Sequence, residues 1–522
     1  MKVLGGKFDY ELNRHELLSE DISTFSSDEF DVQVFGKVKY DSRELTPEEI
    51  FKLWKSCGNS FTERIEGVFI VSLFDKINGT LSIFHDRSSS PVALYYTENN
   101  GSLYYSTSLK CLLVQSNIKR VLNEDYVEDF LINGYIVGEQ TLVKNVFKLK
   151  FFHALNAHGG KACQLEVKYI VDDISQLEAI KNWTSVLDES IRECVSGEEI
   201  NSPLSSGYDS NYILYIENRD FDLPINCFSV GGKTGKSELP LVEENAKQFP
   251  KVSLRTALTD ESSLEHFPEI VYRLEGAIFE CGLFLQYALA KLVSDAGKNS
   301  LICGEVADQI MNLNYFDSER SAADYGEKNK YYEFAEYPMA YGHYVILKKN
   351  GILCNSFGIE SRYPFLNKRL LPLTKALVHI NKKDKRFHVA TCEQLLNEVV
   401  LSNISKIGGS TDVHSLFTSK EEMNRFIKAV KASDLYKKHG DKASLGGNFY
   451  NIDKRKSFSD LARKAFYALK GKQIKKDYFF EEAGLRELLC YAYVIIFEKL
   501  FLTDDIVEDA SRIKLYDLIP LV

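Results

Sequence analysis

The stretch from Pro203 to Ser210 combines the residue types that hold a phosphate group at the start of a helix. It reads Pro-Leu-Ser-Ser-Gly-Tyr-Asp-Ser, and it lies between a short apolar lead-in and a helical pattern of apolar residues. A turn from a strand into a helix leaves backbone N–H groups unpaired at the positive end of the helix. Small and hydroxyl-bearing residues add hydrogen-bond donors and let an anion such as pyrophosphate approach the backbone closely. These residues are Ser205, Ser206, Gly207 and Ser210.

Asp209 is the unexpected residue of this loop. A carboxylate beside bound phosphate is repulsive unless a cation lies between them, which predicts Mg²⁺. The same residues also suit an ordinary turn and helix N-cap, and that alternative stays open from this stretch alone. No Gly-Lys-Ser/Thr follows, so this is not the lysine-bearing loop of the common nucleotide triphosphatases.

A second acidic stretch, residues 299–309, reads Asn-Ser-Leu-Ile-Cys-Gly-Glu-Val-Ala-Asp-Gln. A short apolar strand ends at Gly304, and Glu305 and Asp308 follow at a spacing of i, i+3. On the first turn of a helix these two carboxylates would share a face. We predict that Asp308 completes a Mg²⁺ site with Asp209, because oxygen ligands suit that ion. Acidic residues favoured by the helix dipole are the alternative.

Two kinds of element position these residues. Short strands, including a hairpin over residues 68–84, fill residues 1 to about 165 and predict a layered α+β domain. After a polar connection, residues 182–195 have helical periodicity. Strands then alternate with helices and predict an α/β domain with a parallel sheet, nucleotide binding at the carboxyl ends of its strands and a helical C-terminal part. The predicted domains are 1–170 and 180–522.

In this order the motifs resemble those of the asparagine synthetase family. The loop resembles the family's Ser-Gly-Gly-x-Asp-Ser, with Ser206 in place of a glycine. The second acidic stretch, residues 299–309, resembles Ser-Gly-Glu-Gly-Ala-Asp-Glu, and residues 358–366 resemble Gly-Leu-Glu-Ala-Arg-x-Pro-Phe-Leu. The resemblance implies an ATP-pyrophosphatase domain in which backbone groups of one strand line the adenine pocket. That strand includes Phe228, Ser229 and Val230, with Gly304 near the phosphates.

The resemblance also implies catalytic side chains. Lys406 lies in a Lys-x-Gly stretch whose lysine would offset charge as pyrophosphate leaves; an ordinary loop lysine is the alternative. A general base or pyrophosphate-side carboxylate comes from about the region of Glu333, where a solvated helix face is the alternative. Glu305 would position the substrate or the nucleophile. Arg362 would bind a carboxylate or phosphate, or pair with Glu360.

Residues 66–110 resemble the family's glutaminase domain, which has an αββα, Ntn-hydrolase-like fold and a cysteine nucleophile directly after the initiator methionine. This chain has Lys2 there, and its first cysteine is Cys57. The Asn-Gly-Glu stretch that holds glutamine is not visible in residues 35–41. We therefore expect a domain that has lost the glutaminase chemistry. Cys57 or Cys111 as nucleophile is disfavoured because neither can pair with a terminal amine.

The reaction implied is amide formation, in which ATP·Mg²⁺ activates a carboxylate as an acyl-adenylate, pyrophosphate leaves, and an amine attacks to release AMP. Relatives without the cysteine include β-lactam and carbapenam synthetases and lasso-peptide cyclases. We predict ring closure of a small-molecule or peptide carboxylate to a lactam or macrolactam in specialised-metabolite biosynthesis. Partner proteins of a biosynthetic cluster and a homodimer are further expectations. Ammonia-dependent amidation and a non-catalytic ATP-binding homologue stay open as alternatives.

Charge, apolar runs and cysteine content indicate which partners and which location to expect. The 522 residues carry a net charge of −10, which argues against a nucleic-acid partner. No apolar run reaches the length of a membrane span, and the first residues lack the apolar core of a signal peptide. The ten cysteines are scattered. We expect reduced thiols in a cytoplasmic protein.

Overall fold

The structure is a computed structural model, and it describes residues 2–19, 21–41, 43–86, 92–136, 138–150, 153–167, 172–232, 237–280, 282–311, 342–381, 385–405, 413–443, 478–503, 507 and 509–519. Residues 168–171, where the first predicted domain ends, lie outside these ranges. The predicted limits 1–170 and 180–522 therefore stay predictions.

The N-terminal part consists of two antiparallel sheets. Its strands are β1 (Gly5–Asp9), β2 (Arg14–Leu17), β3 (Ser23–Ser26), β4 (Phe30–Tyr40), β5 (Arg43–Glu44), β6 (Glu66–Asp75), β7 (Thr80–His85), β8 (Tyr95–Asn99), β9 (Ser102–Ser106), β10 (Phe147–Lys148), β11 (His153–His158) and β12 (Lys161–Glu166). One sheet has the order β10-β8-β9-β1-β2. The other has the order β12-β11-β7-β6-β4-β3, with β5 paired to β4. The hairpin predicted for residues 68–84 is confirmed as β6 and β7.

Strand β6 explains how the layers pack, since successive side chains of a strand point to opposite faces. Ile70 and Phe74 enter an apolar cluster shared with β1, β8 and β9 of the other sheet. Val71 and Leu73 face a second cluster, which holds residues of the outer helices α1 (Pro47–Cys57) and α2 (Phe61–Arg64).

The four-layer order is completed by α3 (Leu109–Ser116) over the other sheet, and the next helix, α4 (Val127–Asn133), contacts helices of the C-terminal part. Helix α3 contacts β8 and β9. The resulting helix–sheet–sheet–helix arrangement is the layered α+β architecture that the short strands predict.

The C-terminal part is built on parallel strands. These are β13 (Ile200–Pro203), β14 (Ile225–Gly232) and β15 (Val252–Thr259) in that order, and a separate parallel pair, β16 (Ser300–Ile302) with β17 (Glu360–Arg362). Its helices are α5 (Gln176–Cys194), α6 (Tyr208–Asp220), α7 (Leu239–Ala246), α8 (Phe267–Leu274), α9 (Leu283–Asp295), α10 (Ala307–Met311), α11 (Lys348–Ser356), α12 (Leu370–Asn381), α13 (Arg386–Leu395), α14 (Glu398–Asn403), α15 (Lys420–Ala432), α16 (Asp434–Ala443), α17 (Tyr478–Phe501) and α18 (Leu515–Leu518). The predicted parallel sheet and helical C-terminal part are present.

Strand β13 ends at Pro203, which has no N–H to donate. The strand lies at the edge of the three-stranded sheet, where one missing donor is tolerated. The next residue, Leu204, donates its N–H to the carbonyl oxygen of Phe228 at 2.8 Å. The strand that leads into the predicted phosphate loop therefore forms in spite of its proline.

One boundary prediction is wrong. Helix α5 begins at Gln176 and not at Asn182, because the Ser175 side chain caps it by accepting from the Glu178 N–H at 3.2 Å. Its first turns leave the apolar residues Leu177 and Ile180 exposed, so apolar periodicity alone does not mark the start of the helix. Among the described helices, none combines the length and the apolar character that a membrane crossing requires.

Candidate active site

The predicted phosphate loop connects the carboxyl end of β13 to the start of α6. Gly207 is the N-cap residue, and no side chain caps this helix end, so the first turn presents backbone N–H groups. The loop is braced by its own hydroxyls. The Oγ atoms of Ser205 and Ser210 lie 2.9 Å apart, and the Gly207 N–H donates to Ser205 Oγ at 3.2 Å. These contacts hold the loop in a compact turn, and the uncapped first turn of α6 lies directly after it.

A chain of side-chain amides fixes the loop from behind. Asn211 Nδ2 donates to the carbonyl oxygens of Ser205 at 3.0 Å and of Gly207 at 2.8 Å. Asn245 on α7 donates to Asn211 at 3.2 Å, and Asn403 at the end of α14 donates to Asn245 at 3.0 Å. The sequence analysis missed these residues. Asparagine inside a helix, where its propensity is low, is the signal that could have indicated them.

Ser206, which departs from the family pattern, is fully buried. Its N–H donates to Glu238 Oε2 at 3.0 Å. Its hydroxyl lies 2.9 Å from that same oxygen and 2.8 Å from the carbonyl oxygen of Ser405, so its single proton can serve one of them at a time. The Glu238 carboxylate thus accepts a hydrogen bond from one backbone amide of the loop, as a bound anion would.

The two predicted stretches lie side by side. A Cβ atom placed on Gly304 would be 3.5 Å from Cδ1 of Ile213 and 3.6 Å from Cβ of Asp209. The strand β16 that precedes Gly304 therefore brings the second acidic stretch against the start of α6. These are ordinary van der Waals distances, so the space at this position does not by itself require a glycine.

The expectation that Glu305 and Asp308 share a helix face is wrong. Helix α10 begins only at Ala307, because Val306 takes a left-handed conformation with a φ of +64°. That conformation is an outlier for a β-branched residue and marks local strain, a feature that clusters at functional sites. It separates the directions of the two carboxylates.

Glu305 instead belongs to a buried polar cluster. Its Oε1 accepts from Asn350 Nδ2 at 2.7 Å, and the Tyr363 hydroxyl donates to Asn350 Oδ1 at 3.0 Å. Burial raises the pKa of Glu305, and the Lys349 ammonium and the Asn350 amide offset only part of this effect. Asn350 and Tyr363 were not predicted from the sequence.

Asp209 and Asp308 meet at one cation, the ammonium of Lys385. Its Nζ lies 2.5 Å from Asp209 Oδ2 and 2.8 Å from Asp308 Oδ1. His388 Nε2 lies 3.2 Å from the other Asp209 oxygen. Burial alone would raise the pKa of Asp209, but the adjacent Lys385 and His388 hold it well below its ordinary value. For Lys385, burial lowers the pKa, while the two carboxylates raise it above its ordinary value by a larger effect.

The donor set around this point fits Mg²⁺. Two carboxylate oxygens converge on one cation-sized position, and Mg²⁺ takes one or two carboxylates and fills its other positions with phosphate oxygens and water. The Asp209 and Asp308 side chains keep 21% and 31% of their surface exposed. Within the described ranges no three His, Cys, Asp or Glu side chains are grouped to hold a metal ion. The site therefore suits an ion that arrives with its phosphates.

Sequence reasoning also missed Lys385 and His388. Lys385 precedes α13 with a φ of +52°, and it sits in a run of basic residues that indicates solvated surface. His388 follows at i+3, and both side chains reach Asp209. His388 is fully buried and packs its ring against Trp183 and Tyr212. A lysine and a histidine at helical spacing are a weak signal, so the sequence alone could not assign them.

The structure describes some of the remaining candidate site residues and not others. Lys406 and Glu333 lie outside the described residues. Three candidates lie in β14, beside β13 in the parallel sheet: Phe228, Ser229 and Val230.

Arg362 is engaged in structural contacts. It donates to Glu360 Oε1 at 2.9 Å, to the Cys194 carbonyl at 2.8 Å and to Ser196 Oγ at 2.7 Å. Of the two alternatives for Arg362, these contacts favour the pair with Glu360.

Comparison with known protein families agrees with this two-part architecture. Residues 37–169 match the family model of a glutamine amidotransferase domain, and residues 182–337 match that of asparagine synthase. The two matches define a two-domain protein in which a glutamine amidotransferase domain precedes an asparagine synthase domain. The chain belongs to the asparagine synthetase family.

Individual relatives are distant. A putative asparagine synthetase [glutamine-hydrolyzing] 2 of Methanocaldococcus jannaschii is 26% identical over 208 residues, 38% of this chain and 40% of the relative. Asparagine synthetase B [glutamine-hydrolyzing] of Escherichia coli is 20% identical over 358 residues, 65% of this chain and 58% of the relative. The matched part of this chain thus spans about half the length of these relatives.

Two solved structures are also similar. The U34-tRNA thiolase NcsA from Methanococcus maripaludis with its [4Fe-4S] cluster shares 12% identity at a TM-score of 0.22, over 44% of this chain and 78% of that one. The glutamine phosphoribosylpyrophosphate amidotransferase from B. subtilis shares 8% identity at a TM-score of 0.19, over 54% and 63%. TM-scores this low support no functional argument.

Proposed function

We propose that this chain is an ATP-dependent ligase that adenylates a substrate carboxylate and joins it to an amine. The observation that carries the proposal is the convergence of Asp209 and Asp308 on one cation beside an open helix N-terminus at the end of a parallel strand. Ligands of open α/β sheets bind at such strand ends, and helix N-termini bind phosphate. Membership of the asparagine synthetase family supports the same reaction class.

Each residue then has a defined task. Asp209 and Asp308 hold Mg²⁺, which supplies positive charge that offsets the charge of the phosphate groups. Backbone N–H groups of the loop and of the first turn of α6 bind pyrophosphate, together with Ser205 and Ser210. Lys406 contributes a charge on the side where pyrophosphate leaves. The adenine ring lies along the backbone of Phe228, Ser229 and Val230, with Gly304 giving close access.

Glu305 is assigned to the amine. A buried carboxylate with a raised pKa lies closer to neutrality than an exposed one, which suits a group that accepts a proton from an attacking ammonium. Its hydrogen bond from Asn350 fixes its orientation. Glu333 is the second carboxylate proposed for this step.

We propose that the amine is part of the substrate. In the region where the family holds glutamine, Phe35 is buried in the apolar core of the N-terminal part, and Lys37 pairs with Glu360 at 3.4 Å. Phe35 offers no polar group, and the ammonium of Lys37 pairs with Glu360. An amine tethered to the carboxylate has a high effective concentration, so ring closure to a lactam or macrolactam needs no separate ammonia source.

A non-catalytic ATP-binding homologue is the second candidate. The observation that favours it is the Glu238 carboxylate on the Ser206 amide, which occupies one donor of the phosphate loop. A catalyst must release this contact when ATP binds, whereas a binding protein could retain it.

The test combines calorimetry with product analysis. We expect ATP to bind only with Mg²⁺, and amino-carboxylate substrates to release pyrophosphate and lose one water by mass spectrometry. Asp209→Asn is the inactive control. Pyrophosphate release that needs added ammonium would replace ring closure by ammonia-dependent amidation. Mg²⁺-dependent ATP binding without adenylate formation on any carboxylate favours the non-catalytic homologue, and no ATP binding at all overturns the proposal.

A further inference from the structure

The cation between Asp209 and Asp308 belongs to the chain itself. Lys385 is only 5% exposed, and its Nζ contacts one oxygen of each carboxylate. Two carboxylates this close together repel each other unless positive charge lies between them. The ammonium therefore supplies, between these carboxylates, the positive charge that a metal ion would supply at the same position.

The position of Lys385 in the chain allows this contact to be exchanged. It lies directly before α13, outside the regular helix, with a φ of +52°. Its ammonium is a point charge on a flexible four-carbon stem, and it binds phosphate as readily as carboxylate. The side chains of Asp209 and Asp308 keep part of their surface in solvent, so an incoming ion can reach them.

We propose that Lys385 occupies the metal position of the nucleotide-free chain, keeps Asp209 and Asp308 in register, and excludes Mg²⁺ until phosphate groups offer its ammonium another partner. This inference rests on the proposed function, because it takes Asp209 and Asp308 as the metal ligands. Lys385 is a positioning residue. It makes Mg²⁺ and ATP bind with positive coupling, since each removes the obstacle to the other.

The experiment measures divalent-cation binding without nucleotide. Lys385→Met keeps the length of the side chain and removes its charge. We expect Mn²⁺, followed by electron paramagnetic resonance, to bind the variant about tenfold or more tightly than the wild type, within the range of site–site coupling. We also expect the melting temperature of the variant to fall without metal and to recover with Mg²⁺. A merely structural lysine would show the fall without the recovery.

Lys110→Met is the matched control, because Lys110 also pairs with a buried carboxylate, Glu275, at 3.0 Å. It should lose stability and gain no response to Mg²⁺. Equal Mn²⁺ affinity of the wild type and Lys385→Met overturns this inference. The proposed function would still hold in that case if ATP binding by the wild type depends on Mg²⁺. If Lys385→Met does not fold, Asp308→Asn serves: a wild type that binds Mn²⁺ without nucleotide more tightly than Asp308→Asn overturns the inference, and equal weak binding supports it.

Discussion

Ser206 and Ser405 are joined at two points. The Ser405 N–H donates to the Ser206 carbonyl oxygen at 3.1 Å, and the Ser206 hydroxyl lies 2.8 Å from the Ser405 carbonyl oxygen. The contact ties the phosphate loop to the residue directly before Lys406. Since the family pattern has glycine at the position of Ser206, the hydroxyl contact is a property of this chain.

Replacing Ser206 tests the value of that hydroxyl. Ser206→Ala should lower the free energy of unfolding by about 1–2 kcal/mol, because a buried hydrogen bond is lost and the Ser405 carbonyl keeps one partner fewer. Ser206→Gly should cost slightly more through backbone entropy. Urea denaturation measures both. A Ser206→Ala variant as stable as the wild type would show that the hydroxyl contributes nothing.

Asp308→Asn should abolish the dependence of ATP binding on Mg²⁺. The amide oxygen is a weaker ligand than a carboxylate and cannot balance the charge of the ion, so we expect pyrophosphate release to fall by about 100-fold or more. Calorimetry with and without Mg²⁺ measures the binding. Asp220→Asn, which removes a carboxylate paired with Arg192 at 2.7 Å away from the site, is the control. Unchanged Mg²⁺ dependence in Asp308→Asn would exclude Asp308 as a ligand.

The sequence indicated the candidate site residues that local residue types reveal, and their roles stay predictions. The phosphate loop and Asp308 were predicted from residue types and motif order, and the structure places them together. Lys385 could not be predicted, because a lysine in a basic run is normally solvated and only the tertiary fold buries it between two acids. The direction of the Glu305 side chain could not be predicted either, since nothing in the sequence indicates that Val306 takes a left-handed conformation.

The N-terminal part shows the same division. The apolar run in β6 predicted a strand, and the hairpin with β7 followed from the short turn. Which face of β6 meets the second sheet and which meets α1 depends on long-range packing, because both faces are apolar.

The Glu305–Asn350 contact predicts a change in the pH dependence of the reaction. Asn350→Leu removes a donor to the carboxylate, so the pKa of Glu305, already raised by burial, should rise further. If the ionised form is required, the acidic limb of the kcat/KM profile moves to higher pH. Asn350→Asp should move it further in the same direction through like charge. An acidic limb that is the same in all three proteins would exclude Glu305 as its source.

Glu217 provides a prediction away from the chemistry. It lies in the C-terminal half of α6, fully buried, and accepts a hydrogen bond from Ser202 Oγ of β13 at 2.5 Å. Burial raises its pKa from 4.5 to about 8, which the Ser202 hydroxyl only partly opposes. Near neutral pH the folded chain therefore binds a proton that the unfolded chain has lost.

Because the folded pKa of Glu217 is the higher one, its contribution to stability is fully present below pH 4.5 and is lost as the pH rises through about 8. Between roughly pH 5 and pH 7.5 the wild type should lose about 2–3 kcal/mol of unfolding free energy relative to Glu217→Gln, which keeps the shape and an acceptor for Ser202 but cannot ionise. Urea denaturation at both pH values measures the difference. The same pH dependence in the two proteins would contradict this prediction. It would mean that Glu217 is ionised in the folded chain and that a nearby positive charge or hydrogen-bond donor stabilises its carboxylate.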